Sequence, residues 1–136
     1  LGDAEYRDRV QGTMALAAEM MDLLERGFSG LTLLAGRGAR GHFDGGAEIH
    51  IRLYAHAELS DIAQLLVDVG FEEPSFETIE TKHGRANRVR TSMDGVTLVV
   101  VRCLPEWWSD HEHDLVTGRP AATRTLKSLR HDDPGA

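Results

Sequence analysis

The sequence predicts an α+β fold: a mixed or mostly antiparallel sheet of about four to six strands, with helices packed on one face. Three observations carry this. A helical period runs from Asp8 to Phe28, where Val10, Met14, Ala17, Met21, Leu24 and Phe28 recur at steps of three and four. The stretch from Ala47 to Tyr54 then alternates, with Ala47, Ile49, Ile51 and Leu53 on one side and Glu48, His50, Arg52 and Tyr54 on the other. Three strand-like runs follow, separated by turn signals at His83-Gly84 and Asp94-Gly95.

A chain of 136 residues holds one domain with a real core, placed over about 8–103. Residues 104–130 read as a wrapping loop with a short helix, and 131–136 as a tail. A net charge of −7 argues against a broad polyanion surface, so extended nucleic-acid binding is not expected. No run reaches the ~18–20 apolar residues of a membrane span, so no membrane partner is expected. The opening LGDAEYRDRV does not read as a signal peptide. The single Cys103 fits a reducing compartment and a small core residue, which makes the cytoplasm the expected location.

Each element has a local reason. Met14, Met20 and Met21 on the first helix suit either an adaptable groove or core packing. Gly27 and Gly30 bracket its end, and Leu31–Ala35 forms a strand ending at Gly36. A glycine-rich loop follows, with Gly36, Gly38, Gly41, Gly45 and Gly46 interleaved with Arg37, Arg40, His42 and Asp44. Glu58–Val69 is amphipathic, Gly70 is placed to end it in a left-handed conformation, and Phe71 can fold back on the last turn. EEPSFE reads as a connector because of Pro74. Strands are expected at Glu77–Lys82, Arg85–Met93 and Val96–Cys103, the last central because VTLVVV is apolar on both faces. In the irregular LPEWWSDHEHDLVTGRP, Trp107 and Trp108 cannot both face one core side if extended, so one packs and the other lies near the surface or at an interface. Pro120 opens a short helix that buries Leu126 and Leu129.

Chemistry is hinted at in two places. The loop amides, with Gly36, Arg37, Gly38 and Arg40, suit a phosphate or carboxylate. Arg52, Arg88 and Arg90 are placed to complete such an anion site, or equally to pair with the chain's own carboxylates in a structural role. GRGARG contains G-x-G-x-x-G, but a strand follows it rather than a helix, which excludes the dinucleotide reading. The plain alternative is that Glu48, His50 and Arg52 form a solvated strand face. The second place is the acidic segment Asp110 to Asp114. If it is extended, His111 and His113 share a side and suit Zn²⁺ or another divalent ion. A solvated loop is the plain alternative there.

The order of helix, strand with terminal glycine, strand with alternating polar residues, helix and β-meander resembles the minimal nucleotidyltransferases of the DNA polymerase β superfamily. The resemblance covers Thr13 to Cys103 through short motifs. In that family a glycine and a small polar residue end the first strand, an acid-x-acid pair lies on the next, and a later strand gives a third acid. These acids hold two magnesium ions that activate a nucleoside triphosphate. Gly36 matches the glycine, with Arg37 where Ser is usual, and Glu48 matches the first acid. His50 replaces the second acid, and Val96–Val101 contains no third. Imidazole is a poor ligand for Mg²⁺, so the resemblance implies a lapsed or repurposed site in which Mg²⁺, Mn²⁺ or Zn²⁺ would meet Glu48 and His50. The resulting expectation is a nucleotidyltransferase-like domain binding a nucleotide or another small anionic ligand. One alternative is a non-catalytic homodimeric interaction module using Trp107 and Trp108. Another is a metal-dependent enzyme using His50, His111 and His113.

Overall fold

A computed structural model describes residues 3–40 and 48–131, apart from the side chains of Asp3, Tyr6, Arg37 and Arg40. The elements in chain order are α1 (Asp3–Phe28), β1 (Leu31–Ala35), a 3₁₀ turn (Gly36–Arg40), β2 (Glu48–Tyr54), α2 (Leu59–Val69), β3 (Ser75–Thr81), β4 (Gly84–Met93), β5 (Val96–Cys103), a second 3₁₀ turn (Pro105–Asp110), β6 (Thr123–Thr125) and α3 (Leu126–His131). Among the described residues the strands form one six-stranded sheet, in the order β3-β4-β5-β2-β1-β6. Only the β2–β5 pairing is parallel, so the sheet is mixed and mostly antiparallel. The α+β class follows directly.

The helices share one face. Ala17, Met20, Met21 and Leu24 of α1, Ile62 and Leu66 of α2, and Leu126 and Leu129 of α3 form one apolar cluster with Ile49, Ile51, Leu53, Val89, Leu98 and Val100 of the sheet. Met20 and Met21 have no exposed surface, so these methionines fill core rather than line a groove. The helix begins at Asp3 rather than Asp8. Its end also differs from expectation: Gly27 lies inside α1, and Ser29 takes the left-handed turn at φ 53°. A Cβ on Gly27 would lie 3.1 Å from Leu65 Cδ1, so this glycine lets α1 and α2 approach closely. One on Gly30 would lie 2.5 Å from the Tyr54 carbonyl oxygen, a clash with backbone that fixes glycine there.

Two turns form by the expected chemistry. Gly70, at φ 122°, donates to Val67 O and Phe71 donates to Leu66 O, both at 3.0 Å, which is the Schellman pattern of a glycine-ended helix. Phe71 folds back and is buried. Asp94 and Gly95 both have positive φ, 50° and 81°, as a type I′ hairpin requires. The neighbouring hairpin differs by one position. Thr81 pairs with Gly84, so the loop residues are Lys82 and His83. Thr81 Oγ1 closes that turn by accepting from His83 N and donating to Gly84 O.

The connector EEPSFE is shorter than expected, because Ser75 and Phe76 already pair with Arg90 and Val89 in the β3–β4 ladder. Strand β5 is central, and Leu98, Val99, Val100 and Val101 are buried on both faces. Pro120 does not open the helix, and an additional strand, β6, precedes it. Thr123–Thr125 first pairs along β1, and the helix starts at Leu126.

The second sheet face carries a smaller cluster: Leu33, Tyr54, Ala86, Val99, Val101 and Cys103, covered by Trp107 and Leu115 from segment 104–122. Trp107 and Trp108 lie in a 3₁₀ turn, not an extended loop. Successive side chains there are rotated by about a third of a turn, so each indole has its own partners. Trp107, 9% exposed, stacks on His83 with centroids 4.8 Å apart. Trp108, half-buried, meets Tyr54 edge-on at 5.0 Å and stacks on His111 at 4.2 Å.

Candidate functional site

The sheet register assembles a charged row on the part of the second face nearest the β1 turn. Alternation along β2 turns Glu48, His50, Arg52 and Tyr54 away from the helices. His50 pairs with Val99 of β5, and Val99 pairs with Arg90 of β4, so His50 and Arg90 flank the same buried valine. Ser75 of β3 pairs with Arg90 and Glu77 with Arg88, which extends the row across a fourth strand.

These side chains are joined through carboxylates. His50 Nε2 lies 3.0 Å from Glu48 Oε1, and Arg90 Nη1 lies 3.4 Å from the same oxygen. Glu77 Oε1 accepts from Arg90 Nε and Arg88 Nε, each at 3.1 Å. The two arginines hold the Glu77 carboxyl below its ordinary range, and Glu77 in turn raises Arg90. Burial pushes the His50 imidazole down, against the opposing pull of Glu48, so it is neutral at pH 7. With His50 neutral, Arg88 and Arg90 balance Glu48 and Glu77.

Gly36 adjoins this row. It leaves β1 at φ 70°, and a Cβ on it would sit 3.8 Å from His50 Cδ2. The first part of the glycine loop is thus a 3₁₀ turn against the Glu48/His50 strand, with Gly38 and Ala39 buried. The side chains of Arg37 and Arg40, and all of Gly41, His42, Asp44, Gly45, Gly46 and Ala47, lie outside the described residues.

Arg52 is set apart from the row. It is 5% exposed, and its Nη1 donates to Tyr54 Oη at 3.3 Å and to the His111 carbonyl at 3.0 Å, beneath segment 104–122. The face that this strand presents is therefore not a uniformly solvated one: its Arg52 end is covered and its Glu48 end is open.

The acidic segment is folded differently from the extended strand its histidines were expected to share. His111 closes the 3₁₀ turn at φ −60°, ψ −18°, and its Nδ1 lies 2.8 Å from the Trp108 carbonyl. The bend removes the geometry in which positions i and i+2 share a side. His113 bridges Pro120 through its backbone, and its Nδ1 is buried with no hydrogen-bond partner among the described residues. Asp110 instead serves as a latch, ion-paired with Lys82 Nζ and 3.0 Å from His83 Nε2. Among the described residues, no three His, Cys, Asp or Glu side chains converge on a metal-sized site.

For a divalent ion, the Glu48/His50 pair is a partial site. Arg90 already occupies the carboxylate, and the β5 positions facing this row are Thr97, Val99 and Val101, none of them acidic. Glu77 falls within the expected strand, but its role as the link between Arg88 and Arg90 depends on the β3–β4 register, which sets Glu77 opposite Arg88. The alternation of Glu77, Ile79 and Thr81 was the available signal. Sequence reasoning missed Asp110 as a latch, since nothing local announces a partner 27 positions away. No family model matches this chain, and no curated protein matches it.

Proposed function

We propose that this chain is a nucleotidyltransferase-like domain with incomplete catalytic acids. On this reading it binds a nucleotide or another small phosphate-bearing ligand between the turn after β1 and the Glu48/His50 row. The observation that carries the reading is the meeting of Gly36, at positive φ, with His50 on the strand that runs antiparallel to β1 and parallel to β5. A glycine there lets a phosphate approach backbone amides, and Arg37 and Arg40, which follow it closely in sequence, are the residues proposed to add charge-assisted donors. Arg88 and Arg90 can exchange part of their pairing with Glu77 for the ligand at the edge of the row.

Catalysis is not part of the proposal. Two-metal transfer needs hard oxygen ligands, and here Glu48 is engaged by Arg90 and His50 while β5 adds no acid. If an ion enters beside Glu48, Mn²⁺ or Zn²⁺ suits a carboxylate–imidazole pair better than Mg²⁺ does. The experiment is a melting-temperature titration with ATP, GTP, CTP and UTP. Millimolar nucleotide should raise the melting temperature of the wild type, and Arg37→Ala with Arg40→Ala should abolish the rise. A wild type indifferent to every nucleotide, with and without Mg²⁺, contradicts the proposal.

A further inference from the structure

Away from the charged row, two adjoining hollows of about 560 and 520 Å³ meet where Leu31 and Trp108 line both. Each is the size of a small-molecule site. Leu31 opens β1 yet is 49% exposed, an apolar side chain left uncovered between the hollows. Phe28 and Pro105 extend the apolar wall on one side. On the other side α3 contributes Lys127 and Arg130.

The charges around this groove are unequal in availability. Arg130 pairs with Asp22 at 3.1 Å. Glu25 is the acid on the wall, and its Oε2 is already engaged by Thr32, accepting from the backbone N at 3.0 Å and from Oγ1 at 2.7 Å. Lys127 is exposed and has no hydrogen bond or ion pair with any described residue. An apolar floor thus ends at an ammonium with no counter-charge among the described residues, in a chain whose net charge is −7.

We infer that this groove binds a small amphipathic carboxylate, with its apolar body on Leu31 and Trp108 and its carboxylate at Lys127, turned away from Glu25. Apolar contact supplies most of the affinity, and Lys127 selects anion over cation. The site lies on a different part of the sheet from the Gly36–His50 row and does not depend on nucleotide binding.

The test is a titration of the full chain with decanoate, hexanoate and decyltrimethylammonium, read by calorimetry and by indole fluorescence. Trp107 and Trp108 are the two tryptophans of the chain, and Trp107 is the buried one, so a ligand in the groove reports through Trp108. Decanoate should bind saturably and tighter than hexanoate by about two- to fourfold per added methylene. Decyltrimethylammonium should bind at least about tenfold more weakly than decanoate. Lys127→Glu should weaken decanoate by about tenfold, while Arg85→Ala, on β4 three strands away from β1, leaves it unchanged. Leu31→Asn, at an exposed position, should weaken both carboxylates. Absence of saturable binding, equal binding of the cationic amphiphile, or unchanged affinity in Lys127→Glu would each overturn the inference.

Discussion

Arg52 donates a hydrogen bond from Nη1 to the backbone carbonyl of His111 at 3.0 Å, tying the middle of β2 to the segment that covers the second sheet face. The same nitrogen reaches Tyr54 Oη, whose ring meets Trp108 edge-on. One buried cation therefore holds a carbonyl, a phenol and, through the phenol, an indole. Arg52→Ala removes a charge-assisted donor and the packed stem together. The expected loss is about 2–4 kcal/mol of unfolding free energy, measured by urea denaturation. A loss below about 1 kcal/mol would mean that segment 104–122 is held by its apolar contacts alone.

The same segment has an acid-sensitive fastening. The hydrogen bond from Lys82, and then that from His83, holds the Asp110 carboxyl below its ordinary value. A depressed carboxyl favours the folded state above the unfolded value of about 3.9, and that contribution is lost as pH falls through the lower folded value. Asp110→Asn should therefore be less stable than wild type at pH 7, and the difference should shrink toward zero below about pH 3. A difference that stays constant across that window would assign the effect to packing rather than charge.

Cys103 supplies a check on the integrity of the second core. Burial pushes its thiol up to about 12, and the side chain has no exposed surface. At pH 8 a thiol-specific reagent should label the native protein at least about a hundredfold more slowly than the urea-unfolded chain. Comparable rates would show that the cover formed by Trp107 and Leu115 opens freely.

What the sequence revealed and what it hid divide along physical lines. Local chemistry was legible: Gly70 ends α2, Asp94-Gly95 makes the hairpin, and VTLVVV lies centrally. The period-two alternation of β2 correctly separated Ile49, Ile51 and Leu53 from Glu48, His50, Arg52 and Tyr54. Alternation says which side a residue faces, not what covers that side. Arg52 and Glu48 share a face, yet one is buried under a distant segment and the other is open. Thr123–Thr125 was missed because three residues are too few to display a strand period, and Pro120 offered a plausible helix start instead. The extended reading of His111 and His113 failed for a related reason: Leu104 to Asp110 has no period, so nothing signalled the 3₁₀ turn that bends the chain before them.

The most direct measurement is calorimetric titration of ATP into wild-type protein, with Mg²⁺ and with excess chelator, while pyrophosphate release is followed. A nucleotide held by amides and arginines beside Gly36, without a completed acid set, should bind saturably in both conditions. The dissociation constants should agree within about threefold, and no pyrophosphate should appear. The absence of binding heat at millimolar ATP would contradict the account, as would binding that requires Mg²⁺ and releases pyrophosphate.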